Sequence, residues 1–249
     1  MRKPYSQRLA ISKKMKKIGI LKADPVNPKL SGQHGEYSDM IIRTLKTAVP
    51  KFECKVYDLH KFEYPEDIDE VDVYFITGSS ASAYEDLPWI HGLCDFVRIL
   101  DKHKKKTIGL CFGHQLIAQA LGGKVARSPK GWNIGIKKFE LTTEGKKQLG
   151  PAPPFQLINS HRDQVTKLPR GCKVLAGNDF CPIYIFQKEQ HIFTVQGHIE
   201  MTTDYASSLY QLRANLYEPS VYRKAMKSLK GSHDFEQVTK WISNFIWPQ

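Results

Sequence analysis

Short apolar segments alternate with amphipathic segments through the first half of the chain. The apolar segments have the length of strands, and they lie at residues 17–22, 54–59, 71–77 and 107–111. The amphipathic segments repeat apolar side chains at helical spacing, and they lie at residues 34–48, 89–103 and 115–121. Strands and helices in this order predict an α/β fold, a mainly parallel sheet with helices on both faces.

The pattern changes in the second half, where strand-like segments follow one another with few helices between them. These segments lie at residues 134–141, 155–159, 173–176, 182–187 and 192–196. Residues 188–190 (KEQ) predict a hairpin turn, so we expect the sheet to gain an antiparallel portion. Residues 203–216 and 221–247 predict two or three helices. We therefore predict one domain over 17–201, with 202–249 as its C-terminal helical appendage.

The composition is that of a folded protein, because 41% of the 249 residues are hydrophobic and 25% are charged. No apolar run approaches the roughly 18 residues that a membrane helix needs, so no membrane association is predicted. The five cysteines are scattered without a CxxC pair. This spacing argues against a disulfide framework and a zinc site, and it favours a reducing, cytoplasmic compartment.

The formal net charge is +12, and part of it lies at the N-terminus. Residues before Asp24 are basic without an acid, and Met15 opens a string that leads directly into the first strand. We interpret residues 1–16 as a basic extension, either a disordered tail or an upstream-start artefact. The run KHKKK at 102–106 has no interleaved aromatic residues, which favours a solvated helix end over a nucleic-acid site.

One cysteine lies in a setting that differs from the other four, which are expected to be ordinary packing residues. The segment GLCFGHQ places Cys111 between a predicted strand and a predicted helix, with Gly109 and Gly113 two residues away on either side. A nucleophile on a sharp strand-to-helix turn needs such small neighbours. The helix N-terminus favours a thiolate, and the amide of Phe112 is placed to donate to an oxyanion. We interpret Cys111 as a nucleophile, with a buried structural cysteine as the alternative.

A cysteine nucleophile needs a base, and the base needs an orienting group. The best candidates lie in QGHIE, directly after the predicted strand at 192–196. His198 and Glu200 point to the same side of an extended segment, since side chains alternate. The carboxylate can then accept from one imidazole nitrogen while the other faces the sulfur. His114 is expected to be structural, and the remaining histidines outside residues 159–163 are expected at the surface or at helix caps.

The segments GLCFGHQLIAQALGG and QGHIE resemble the signatures of class I (triad) glutamine amidotransferases. The resemblance spans about residues 17–201 and implies a flavodoxin-like three-layer α/β sandwich with a Cys111–His198–Glu200 triad. It also implies an oxyanion hole in which Phe112 and a second turn each supply a backbone amide. No metal or organic cofactor is implied for this chemistry.

The same resemblance assigns the second oxyanion turn and the substrate contacts. The second turn lies at Gly78 and Ser79, and Gln115 corresponds to a residue that contacts bound glutamine. The loop that holds the amino-acid end of glutamine corresponds to Asn159, Ser160, His161, Arg162 and Asp163. From the residues alone, this loop is only a polar turn after a strand. An ammonium and a carboxylate do require acceptors and donors of these types.

Two positions depart from the family pattern. Ile199 stands where a proline usually separates the triad histidine and glutamate, so we expect a changed loop conformation with the triad kept. Ser79 and Ser80 follow Gly78 where consecutive glycines are common. This difference leaves both Gly78 and Ser79 as candidate donors to the oxyanion.

These features favour a hydrolase that cleaves a γ-glutamyl amide, converting glutamine to glutamate and ammonia through a γ-glutamyl thioester. One alternative is a γ-glutamyl peptidase that acts on glutathione-like conjugates, as in the stand-alone branch of the family. Another is a subunit that delivers ammonia to a synthetase partner in trans. An alternative of a different class is a non-catalytic binding or regulatory protein on the same fold. A small-molecule substrate is expected, and nucleic acid is disfavoured as a partner.

Overall fold

The computed structural model describes residues 15–49 and 51–248. The predicted extension therefore lies outside the described residues up to position 14, whereas Lys16 already belongs to the first strand. The strands are β1 (Lys16–Lys22), β2 (Phe52–Asp58), β3 (Val73–Ile76), β4 (Lys106–Leu110), β5 (Lys124–Arg127), β6 (Asn133–Leu141), β7 (Phe155–His161), β8 (Asp163–Lys167), β9 (Cys172–Gly177), β10 (Ile185–Lys188) and β11 (Ile192–Val195). The helices are α1 (Pro28–His34), α2 (Tyr37–Ala48), α3 (Pro88–Lys102), α4 (Phe112–Ala120), α5 (Thr143–Leu149), α6 (Thr203–Leu212), α7 (Pro219–Ser228) and α8 (Phe235–Ile246).

The main sheet has a parallel half and an antiparallel half. Strands β2, β1, β3, β4 and β11 lie side by side and run parallel, in the order typical of flavodoxin-like folds. The sheet continues through β10, β9, β6 and β7 in antiparallel pairings, and the hairpin predicted at 188–190 joins β10 to β11. Strands β5 and β8 form a separate antiparallel pair. The predicted α/β fold with an antiparallel portion is confirmed.

The two faces of the sheet are covered by different helices. Ile18 and Ile20 of β1 lie in one apolar cluster with residues of α2 and α8. Leu21, the next residue along the strand, lies in a second cluster with residues of α3 and α4. Because successive strand residues point to opposite faces, these clusters are the two sides of a three-layer sandwich. The carboxyl ends of the parallel strands meet at one edge of the sheet, where ligands bind in such folds.

The C-terminal helices pack into the fold rather than extending from it. Trp241 of α8 contacts Phe155 of β7 edge to face, with ring centroids 5.2 Å apart. The hydroxyl of Tyr210 in α6 accepts from the amide of Gly135 at 3.0 Å and donates to the carbonyl of Asn159. These bonds tie α6 to β6 and β7.

Several short elements were not predicted because each carries too few buried residues for a periodic pattern. Helix α1 buries only Leu30, and it depends on a cap in which Asn27 accepts from the amide of Lys29. Strand β5 has only Val125 buried. Strand β2, predicted as half-buried, is an edge strand in which residues 53–56 are exposed.

Two lysines of the basic run at 102–106 form ion pairs within the chain. The ammonium of Lys104 lies 2.9 Å from a carboxylate oxygen of Glu189, and that of Lys105 lies 2.9 Å from Asp69. These pairs connect the start of β4 to two neighbouring loops. No helix among residues 15–49 and 51–248 has the length and apolar content needed to cross a membrane.

Candidate active site

Cys111 lies on a sharp turn between β4 and α4. It is the N-cap residue of α4, with φ 51° and ψ −100°, a left-handed conformation that is strained for a residue with a side chain. The amide of Cys111 donates to the carbonyl of Val195 at 2.9 Å, which fixes the turn against the end of β11. The side chain therefore stands at the N-terminus of a helix, where backbone amides favour negative charge.

The two glycines around Cys111 have no room for a side chain. A Cβ atom on Gly109 would lie 2.6 Å from the carbonyl oxygen of Gly113, and one on Gly113 would lie 2.5 Å from the carbonyl oxygen of Ile76. Both obstacles are backbone atoms, which cannot move aside as a side chain can. The turn consequently packs directly against β3 and β4.

His198 and Glu200 follow β11 and form a hydrogen-bonded pair. Nδ1 of His198 lies 2.7 Å from Oε1 of Glu200, and both residues are buried. The amide of His198 donates to the carbonyl of Ile158 at 2.9 Å, which holds this segment against β7. Among the described residues, Nε2 of His198 has no hydrogen-bond partner. The carboxylate of Glu200 therefore orients the imidazole through Nδ1.

His198 and Cys111 lie close together beside Gly78, which follows β3. A Cβ on Gly78 would lie 3.5 Å from Cε1 of His198 and 3.9 Å from Cβ of Cys111. Residues that are 87 positions apart in the sequence thus meet beside a single glycine. The structure brings together the three residues predicted as a triad.

The ionisation of His198 is set by opposing effects. Burial by itself lowers the pKa of His198, whereas the negative charges of Glu200 and a Cys111 thiolate raise it. The net result raises the pKa of His198 to about 10. The arrangement therefore favours a protonated His198 at neutral pH.

The loop after β3 is held by Asp24, which follows β1. Oδ2 of Asp24 accepts from the amide of Ser80 at 2.7 Å and from its hydroxyl at 2.6 Å. The amide of Ala81 donates to the hydroxyl of Ser79 at 3.1 Å. With these two amides engaged, the donors predicted for this loop remain Gly78 and Ser79.

A cavity of about 340 Å³ opens over Cys111. Its volume is within the range of small-molecule sites. Its lining includes most of the residues predicted as oxyanion or substrate contacts: Ser79, Phe112, Gln115, Ser160, His161, Arg162 and Asp163. It also includes residues that the sequence did not indicate: Ser80, Ala81, Ser82, Glu85, Arg127, Trp132, Arg213 and Leu216.

This fold and this site have counterparts among known proteins. A family model described as glutamine amidotransferase class-I matches residues 34–211. The chain belongs to this family. A glutamine amidotransferase-like protein of Schizosaccharomyces pombe is 33% identical over 243 residues, which cover 92% of this chain and 98% of that protein. Gamma-glutamyl peptidase 2 of Arabidopsis thaliana is 28% identical over 241 residues, which cover 94% and 97% of the two chains.

Solved structures share the fold at lower identity. A glutamine amidotransferase from Methylobacillus flagellatus superimposes with a TM-score of 0.72 at 19% identity, covering 93% of this chain and 94% of that one. One from Thermotoga maritima gives a TM-score of 0.70 at 18% identity, covering 93% and 96%. Both confirm the class I amidotransferase fold.

In this amidotransferase-family chain, Gln115 is part of a network that reaches the sulfur. Its Nε2 donates to the carbonyl of Asp163 at 2.8 Å and to Oε1 of Gln196 at 3.0 Å. Nε2 of Gln196 in turn donates to Sγ of Cys111 at 3.7 Å. The sequence does not indicate a role for Gln196, because its contact with the sulfur depends on the pairing of β11 with β4.

The predicted substrate loop is a corner between two strands rather than a turn. Ser160 and His161 belong to β7, and Asp163 begins β8 in the other sheet. Asn159 does not line the cavity: its amide donates to the carbonyl of Leu157 at 2.8 Å, and the residue is fully buried. Asn159, predicted as a substrate contact, is therefore not brought to the cavity wall, because its side-chain amide bonds the backbone of its own strand.

His161 lines the cavity as a neutral side chain. Burial lowers the pKa of His161 to about 3. Its Nδ1 donates to the carbonyl of Asp163 at 3.1 Å, and its Nε2 accepts from the side-chain amide of Asn133 at 3.0 Å. Because both ring nitrogens are engaged, His161 fixes the corner and has no free nitrogen for a ligand.

Two other histidines are buried. His114 was expected to be structural. Its Nδ1 lies 2.8 Å from the hydroxyl oxygen of Thr194, and burial lowers the pKa of His114 to about 3. His191 was expected at the surface or at a cap, which is wrong, because it is buried and bonds Asp101 at 2.8 Å.

Of the four cysteines expected to be packing residues, Cys54 is instead exposed. Within residues 15–49 and 51–248, no group of three or more His, Cys, Asp or Glu side chains is placed to hold a metal ion.

Proposed function

We propose that the chain hydrolyses a γ-glutamyl amide by nucleophilic catalysis with Cys111, His198 and Glu200. The observation that supports this most strongly is the convergence of the strained Cys111 turn with an imidazole that Glu200 orients at 2.7 Å. A nucleophile, a base and an orienting carboxylate are the components of this chemistry. Family membership and the γ-glutamyl peptidase relatives support the same reaction class.

In the first half of the proposed reaction, the Cys111 thiolate attacks the side-chain carbonyl carbon of the γ-glutamyl group. The C–S bond forms, and the carbonyl electrons move to oxygen, where amides of Phe112 and of Gly78 or Ser79 donate. The imidazolium of His198 gives its proton to the leaving nitrogen as the C–N bond breaks. The products are ammonia or an amine and a γ-glutamyl thioester on Cys111.

In the second half, neutral His198 takes a proton from water, and the resulting hydroxide attacks the thioester carbonyl. The new C–O bond forms, the C–S bond breaks, and the sulfur leaves as a thiolate beside imidazolium. Glutamate is released, and the starting ionisation is restored. Glu200 keeps the imidazole in one orientation through both halves. The corner at residues 160–163 would hold the ammonium and carboxylate of the glutamyl group.

The substrate is tested with a panel of γ-glutamyl compounds. The chain is incubated with glutamine, a γ-glutamyl dipeptide and a glutathione conjugate, and glutamate release is measured. We expect release that depends on Cys111, with the Cys111→Ser chain as the control. Preference for glutamine would favour ammonia delivery to a synthetase in trans, and preference for the peptides would favour a γ-glutamyl peptidase. Absence of glutamate from every compound would contradict the proposed reaction and favour a binding protein.

The role of Glu200 predicts a shift in the pH profile. In the wild-type chain, His198 keeps its proton to high pH because its pKa is raised to about 10. Glu200→Gln removes one of the charges that raise this pKa and leaves the burial that lowers it. The basic limb of kcat/KM should therefore move to lower pH by at least about one unit.

The matched control for this profile is Glu140→Gln, which neutralises an exposed carboxylate on β6. That variant should keep the wild-type basic limb. An unchanged limb in Glu200→Gln would show that Glu200 does not act through the ionisation of His198.

A further inference from the structure

We propose that Arg213 forms a subsite for the carboxylate of the leaving group. The preferred substrate would then be a γ-glutamyl peptide whose leaving amine is an amino acid or short peptide with a free carboxylate. This inference rests on the proposed function, because it assigns the side of the cavity that the glutamyl group does not fill.

Arg213 presents an uncompensated positive charge to the cavity. It lines the cavity over Cys111 and is partly buried. Among the described residues, none lies within ion-pair distance of its guanidinium, whereas Nε of Arg127 lies 4.0 Å from a carboxylate oxygen of Asp163. A partly desolvated guanidinium gains most from a planar anion that it can bind through two hydrogen bonds.

The cavity wall carries three arginines, Arg127, Arg162 and Arg213, and two carboxylates, Glu85 and Asp163, so positive charges are in excess by one. A glutamyl group carries one ammonium and one carboxylate, and the corner at residues 160–163 offers Asp163 and Arg162 for them. Nε of Arg162 is buried without a hydrogen-bond partner among the described residues, as expected for a donor that waits for a ligand. Arg213 is then left for a second carboxylate, which glutamine does not have and a γ-glutamyl peptide does.

The position of Arg213 is fixed by the backbone around it. It caps the C-terminal end of α6, where its amide donates to the carbonyl of Leu209 at 3.1 Å and its carbonyl accepts from Leu216 at 2.9 Å. Helix α6 is itself held against β6 and β7 through Tyr210. The backbone of Arg213 is therefore held at the cavity wall, which keeps its side chain within reach of a ligand there.

Apolar side chains beside Arg213 suit the rest of an amino-acid leaving group. Leu216 lines the cavity although it is 51% exposed, and Trp132 lines it from the segment before β6. The indole of Trp132 packs edge to face against Tyr217, with centroids 5.2 Å apart. Leu216 and Trp132 could contact the side chain of an amino-acid leaving group, while the guanidinium of Arg213 binds its carboxylate.

Two residues of this part of the cavity, Arg213 and Leu216, lie just beyond the segment that the family model matches. The family model ends at residue 211, so Arg213 and Leu216 come from the helical segment beyond it. The catalytic residues lie within the matched region. The C-terminal segment would therefore set substrate choice while the common core carries the reaction.

The test compares two peptides that differ only at the proposed carboxylate, γ-glutamylalanine and γ-glutamylalaninamide. Their dissociation constants are measured by calorimetry on the full Cys111→Ser chain, and kcat/KM is measured on wild type. We expect the acid to bind at least about tenfold more tightly than the amide. Adding Arg213→Gln should reduce this ratio to about one. Adding Arg223→Gln, an exposed arginine of α7 outside the cavity lining, should leave the ratio unchanged.

The outcomes separate the subsite from the proposed reaction. If the Cys111→Ser chain binds the acid and the amide equally tightly, that result alone would overturn the proposed subsite. Weaker binding of both peptides after Arg213→Gln, at an unchanged ratio, would overturn it too and would place the glutamyl carboxylate at Arg213. Selective binding of the acid without turnover in wild type would support the subsite and overturn the hydrolase.

Discussion

Replacing Cys111 with serine is expected to lower kcat for γ-glutamyl hydrolysis by about 10⁴-fold or more. The turn keeps its geometry because serine has nearly the same shape, and the φ of 51° is equally strained for both residues. A hydroxyl, however, does not ionise beside His198 as a thiol does, so the attacking atom lacks the charge that forms the C–S bond. The measurement is glutamate release under saturating γ-glutamyl substrate.

A second thiol provides the control for the cysteine experiment. Cys54 on β2 is exposed and lies at the edge of the sheet, so Cys54→Ser should retain the wild-type kcat. Substrate should protect Cys111 from alkylation. Turnover close to wild type in Cys111→Ser would remove the nucleophile from the mechanism and leave a buried structural cysteine.

Replacing Gly113 with alanine is expected to damage both stability and activity. The new Cβ would lie 2.5 Å from the carbonyl oxygen of Ile76 and 2.8 Å from its Cβ. Relief requires α4 to move away from β3, which disrupts one of the two apolar faces. We expect a loss of about 2–3 kcal/mol in the free energy of unfolding. Thermal unfolding should then begin about 5–10 °C lower.

The activity of the Gly113→Ala chain should fall by about 100-fold, because a displaced helix carries the amide of Phe112 and the turn of Cys111 with it. Gly109→Ala should behave alike, since its Cβ would lie 2.6 Å from the carbonyl oxygen of Gly113. Gly32→Ala in α1 is the matched control, because no atom lies within 4 Å of its added Cβ. Calorimetry that gives Gly113→Ala the stability of Gly32→Ala would show that the turn is not tightly packed.

The fold class was predictable because its signals are local. The short apolar run of β1 and the helical spacing in α2 and α3 depend only on neighbours along the chain. The same is true of the turn at Cys111, whose glycines lie two residues away. The short elements α1 and β5 escaped prediction because each buries a single residue, which leaves no period to detect.

The pairing of His198 with Glu200 was also predictable from neighbouring residues, since residues two apart share one side of an extended segment. The contacts around this pair depend instead on residues that are far apart in the sequence. Asp24 reaches the loop after β3 only because β1 and β3 are neighbours in the sheet. Gln196 reaches the sulfur only because β11 pairs with β4.

By itself, the sequence determined the class of the fold, the strained turn at Cys111 and the family to which the chain belongs. Tertiary structure decided which side chains surround that turn. It kept Asn159 off the cavity wall, engaged both nitrogens of His161 and brought Arg213 to that wall. The physical reason is that steric and periodic rules act between neighbours along the chain. The lining of a cavity, by contrast, depends on the order of strands and on the docking of helices far apart in sequence.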